Sequence, residues 1–140
     1  MHLMCLKAFL KPIKIMNRDL TKKYVYEKHT LTIAIGSTSY SNIIQLKHGV
    51  CVGVRFIDFA PSVVRNNAID IAVNQNDGSK LIGQTDFRDF AHGGGGFLEG
   101  YKPTNFDTKA DINIDVVSST AIAGTDFSGQ LIFAIEQDCL

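Results

Sequence analysis

From Tyr24 to the end of the chain, apolar and polar residues alternate in short runs that clusters of Gly, Asn, Asp and Pro separate. Nothing else in the sequence restricts the fold as much, because strict alternation sends every second side chain to the same face of a pleated strand. Ile112, Ile114 and Val116 share one face while Asn113 and Asp115 share the other, and Ile69, Ile71 and Val73 repeat the pattern opposite Asp70. Runs of this kind build antiparallel sheets with one wet and one dry face. Strands are predicted over residues 24–28, 31–35, 42–48, 50–59, 68–73, 80–83, 97–101, 110–118 and 129–136. At 140 residues the chain has the size of one domain. The expectation is an all-β protein, an antiparallel β-sandwich of about eight strands over residues 24–140, preceded by an N-terminal arm over residues 1–23.

The closing run differs from the others. Leu131, Phe133 and Ile135 make one of its faces apolar, and Ile132 with Ala134 the other, so it belongs in the middle of a sheet or under a neighbouring subunit. Gln75-Asn76-Asp77-Gly78-Ser79 supplies residues that accept positive φ and predicts a hairpin between the runs on either side. Pro61 stops the strand before it. Residues 86–96 and 102–108 read as longer connections, and the small, polar stretch 118–127 as a crossover. No segment beyond residue 20 sustains a helical period, and no run approaches the roughly 18 apolar residues of a membrane span.

Charge is balanced over the chain but not along it. Within residues 1–28, Lys7, Lys11, Lys14, Arg18, Lys22, Lys23 and Lys28 face only Asp19 and Glu27, so a basic arm precedes an acidic body. Such an arm docks on an acidic neighbour, touches a polyanion, or is simply solvated. Leu3, Leu6 and Leu10 fall on one helical face before Pro12, and with Phe9 they give the arm an apolar side suited to packing on a partner. Lys7 and Lys11 interrupt the apolar stretch, which argues against a secretory leader. Met16 is an alternative start. Tyr24 and Tyr26 beside Lys22, Lys23 and Lys28 make only a thin patch for nucleic acid. Cys5, Cys51 and Cys139 are odd in number and widely spaced, which reads as free thiols of a reducing compartment, with one disulfide as the alternative.

His92-Gly93-Gly94-Gly95-Gly96 is the most conspicuous run. An oxyanion-hole reading fails for want of a G-x-S-x-G elbow, and a phosphate-loop reading for want of a following Lys-Ser/Thr. It is read as a loop whose backbone meets a partner. His2, His29, His48 and His92 never stand one, two or four residues apart, so no pair sits side by side as metal ligands. Asp86 and Asp89 invite a calcium reading, but Arg88 pairing locally and Phe87 or Phe90 anchoring the loop in the core explain the segment better. Any Ser-His-Asp triad drawn from this chain is arbitrary, so no enzyme activity and no cofactor are expected. Tyr40, Phe97, Tyr101 and Phe106 are available as sugar platforms, although tryptophan is missing.

Four features carry a family resemblance over residues 31–137: the strand-and-turn rhythm, the strand end Phe56-Ile57-Asp58-Phe59-Ala60-Pro61, the loop Asn105-Phe106-Asp107, and a Ser/Thr/Ala/Gly-rich crossover before Gly129-Gln130-Leu131-Ile132-Phe133-Ala134-Ile135. In these the chain resembles the single jelly-roll virion proteins of bacteriophages that form capsid, decoration or spike subunits. The resemblance implies a homo-oligomer that also contacts other virion subunits and is assembled in the host cytoplasm. Contacts would run through Leu3, Leu6, Phe9, Leu10, Lys22 and Lys23 of the arm, and through His92, Gly93, Gly94, Gly95, Gly96, Tyr101 and Phe106 of the loops. A carbohydrate-binding or adhesive sandwich that uses residues 93–96 and 101–107 is the other reading.

Overall fold

The computed structural model describes residues 21–90 and 100–139, and the backbone alone at 14–15 and 18–19. The strands are β1 (Lys14–Ile15), β2 (Arg18–Asp19), β3 (Lys22–Ile33), β4 (Ser39–Ile44), β5 (Val50–Asp58), β6 (Ile69–Gln75), β7 (Lys80–Asp86), β8 (Lys102–Asp107), β9 (Ile112–Ser118) and β10 (Phe127–Asp138), with a 3₁₀ turn at Phe87–Phe90. β1 and β2 form a ribbon of their own. The other eight form two four-stranded sheets in the orders β3-β10-β5-β8 and β4-β9-β6-β7. Every pairing is antiparallel. The protein is therefore an all-β sandwich, as its alternation predicts.

The pairings are nested: β3 with β10, β4 with β9, β5 with β8 and β6 with β7. An antiparallel ribbon folded at the β6–β7 hairpin and rolled so that its successive pairs alternate between layers gives this order. The inward faces hold the core. From one sheet come Leu31 and Ile33 of β3, Val54 and Phe56 of β5, and Leu131, Phe133 and Ile135 of β10. From the other come Ile69, Ile71 and Val73 of β6 and Ile112, Ile114 and Val116 of β9. Burying each such side chain stabilises the fold by about 1.5–3 kcal/mol, an upper figure because unfolded chains are partly compact. β10 is central, between β3 and β5, which explains why it is apolar on both faces.

Three expectations change. Residues 24–28 and 31–35 are not two strands: β3 runs unbroken through His29 and Thr30, in continuous register with β10. Lys22 and Lys23 thus open a strand of the sandwich instead of closing an arm. Lys102–Asp107, expected as a connection, is the edge strand β8, where Pro103 is tolerated because one side of an edge strand needs no amide donors. Finally, Cys139 is disulfide-bonded to a partner outside the described residues, so the reading of three free thiols fails there, while Cys51 is a buried free thiol.

Candidate functional site

The loops gather at the two ends of the sandwich. One end carries residues 34–38, 59–68 and 119–126 together with the 3₁₀ turn, and three large apolar side chains stand open on it: Ile35 at 54%, Phe59 at 53% and Val64 at 85% exposure. One short segment organises their loops. Ile35 donates its amide to Asp126 Oδ1 at 2.9 Å, Phe59 donates its amide to the Ser128 carbonyl at 3.0 Å, and Arg65 Nη2 donates to the carbonyls of Thr125 at 2.9 Å and Asp126 at 3.0 Å. The loops that carry these three side chains are therefore all tied to residues 125–128.

The same end holds a cleft of about 380 Å³ walled by Asp58, Pro61, Val63, Arg65, Phe87 and Arg88. Its floor is an aromatic cluster in which Phe127 stacks on Phe56 at 5.6 Å and meets Phe87 edge-on at 4.9 Å. Arg88 Nη1 binds both Asp86 oxygens at 3.1 and 3.0 Å, and Phe87 and Phe90 are buried. The local pairing and aromatic anchoring predicted for this segment are what it shows. Asp89 pairs with Lys102 at 2.7 Å. Among the described residues, no three His, Cys, Asp or Glu side chains gather closely enough to hold a metal ion.

At the opposite end, Lys22, Lys23, His48, Glu136, Gln137 and Asp138 line a cleft of about 420 Å³. Lys22 forms an ion pair with Asp138, and Tyr24 donates its hydroxyl to Glu136 Oε2 at 3.0 Å. The basic start of β3 thus lies on the acidic end of β10.

Tyr101 occupies the outer face of the first sheet. Val52 is an extra residue of β5 against β10, so Cys51 and Val54 both point inward while Gly53 points out. A Cβ on Gly53 would stand 2.9 Å from Tyr101 Cβ, so only glycine leaves room for this ring. The Tyr101 ring lies 6.1 Å from that of Tyr26, tilted by 39°. Burial pushes the Tyr101 phenol above its ordinary pKa, and the charge of Arg55 opposes that. On the second sheet, Asp115 accepts hydrogen bonds from Ser41 at 2.7 Å, Asn113 at 3.2 Å and Asn74 at 3.3 Å.

The residues singled out from sequence divide accordingly. Lys22, Lys23 and Tyr101 lie at the surface described above. Phe106 is a core residue at 8% exposure. Leu3, Leu6, Phe9, Leu10, His92, Gly93, Gly94, Gly95 and Gly96 lie outside the described residues. Sequence reasoning overlooked Ile35, Phe59 and Val64. The signal was an apolar residue close to turn formers, Ile35 before Gly36, Phe59 before Ala60-Pro61 and Val64 before Arg65-Asn66. The chain matches no family model, no curated protein and no solved structure.

Proposed function

We propose that this protein is a non-enzymatic structural subunit of a virion, a jelly-roll capsid or capsid-associated protein that acts by binding copies of itself and other virion subunits. The observation that supports this most is the nested strand order, β3-β10-β5-β8 over β4-β9-β6-β7, because a ribbon of paired strands rolled into two four-stranded layers is how a jelly roll is built. Viral capsid domains are one of the groups built on that arrangement, beside lectins and cupins. The open apolar side chains Ile35, Phe59 and Val64 on one loop end add a contact surface of the kind assembly requires. The disulfide at Cys139 suits a particle surface, one of the settings in which such bonds persist. In this reading the subunit is assembled in the host cytoplasm and oxidised in the particle.

Light scattering and negative-stain imaging of the purified full-length chain test the proposal. Regular assemblies are expected, and their loss in a chain beginning at Met16 would assign the arm a docking role. A monodisperse monomer at all concentrations would overturn the reading.

A glycan-binding sandwich is the second reading, favoured by the Tyr26–Tyr101 pair on the outer face of the first sheet. Binding on a glycan array that Tyr101→Ala abolishes would select it.

A further inference from the structure

Among the described residues the two sheets of the sandwich leave four edges, β3, β8, β4 and β7, and they are not equivalent. β8 carries Pro103 and slips register against β5. β7 slips twice against β6, and β4 has six residues. β3 has twelve residues, no proline and an unbroken register. A long, regular edge is a template for another strand unless something blunts it.

The phase of the ladder says which backbone groups are offered. Cys139 donates its amide to the Thr21 carbonyl at 3.1 Å, and Thr21 stands directly opposite Cys139 in the register of β3 with β10. Hydrogen-bonded pairs alternate along an antiparallel ladder, so odd-numbered residues of β3 bond to β10 and even-numbered ones turn their N–H and C=O away from it. In the second half of the strand these are Lys28, Thr30 and Thr32, all exposed, and among the described residues no strand covers them.

We propose that residues 28–32 of β3 pair antiparallel with the same segment of a second copy, joining the first sheets of two subunits edge to edge. This deepens the self-association reading and rests on it. The segment suits its own copy. Lys28 is its only full charge, and a two-fold axis through Thr30 sets Thr30 against Thr30 and Lys28 against Thr32, so no like charges meet. Threonine pairs are favourable across strands. β4 lies on the same side of the sandwich, tied to β3 by His29 Nε2 and Tyr40 Oη at 2.8 Å, so the contact continues onto the second sheet. A strand partner of different sequence is an alternative that the same experiment separates.

The test is sedimentation velocity of the full-length chain, its Thr30→Pro variant and its Thr30→Ala variant. Proline removes an amide that β10 does not use, so the subunit is expected to keep its far-ultraviolet circular dichroism spectrum. Self-association should weaken about a hundredfold in Thr30→Pro and by no more than about fivefold in Thr30→Ala, which loses only the threonine pair. Equal assembly of wild type and Thr30→Pro would overturn edge pairing and leave self-association standing. A wild type that is monomeric throughout would overturn both. If Thr30→Pro fails to fold, amide exchange of the wild type decides: protection of Thr30 and Thr32 that rises with protein concentration supports the pairing, and concentration-independent exchange refutes it.

Discussion

Gly129 sits on the inward face of β10, where a Cβ would meet Phe56 Cζ at 2.1 Å and the Ile57 carbonyl at 2.6 Å. The aromatic ring fills the space a side chain would need, so the Phe56–Phe127 stack depends on a missing methyl group. Gly129→Ala should therefore cost about 1–3 kcal/mol, read as a lower urea midpoint with an unchanged slope. His29 gives a pH dependence. Burial holds its imidazole below the ordinary value of 6.5, so the unfolded chain binds the proton more readily than the folded one. Stability from the neutral ring is present above pH 6.5 and falls as pH drops below it. Thermal melts between pH 7.5 and 5.5 should show a decline that His29→Gln reduces; identical slopes would mean the ring titrates as it does in solution.

Among the elements, the β6–β7 hairpin shows how far local chemistry reaches. Gly78 has φ of +94°, its amide donates to the Gln75 carbonyl at 2.9 Å, and Asp77 Oδ1 accepts the Ser79 amide at 2.9 Å, as a run of turn formers predicts. Gly78→Ala should destabilise by roughly 1–2 kcal/mol in chemical denaturation, because a Cβ is strained at that φ although nothing stands within reach of it. The same logic found β5, β6, β9 and β10, whose faces alternate because one of them meets the core. It failed at the edges. Pro103 and the Asn105-Phe106-Asp107 triplet made β8 look like a loop, since an edge strand keeps few of the constraints that pattern reading relies on. In β3, His29 and Thr30 looked like a break because His29 faces inward at the rim of the sandwich, where a hydrogen bond to Tyr40 replaces an apolar contact.

For the whole molecule, alternation identified the two layers but not their order. Nested pairing brings Lys22 against Asp138 and Ile33 against Phe127, contacts between residues far apart in sequence that no local pattern encodes. The apolar loop end was equally hidden, because the loops that carry Ile35, Phe59 and Val64 meet only at residues 125–128. Self-association is the role proposed for this sandwich. Sedimentation velocity of the full-length chain over a hundredfold range of concentration tests that claim most directly. A species of two or more subunits whose population grows with concentration is the predicted result, and a single sedimenting monomer across the whole range would contradict it.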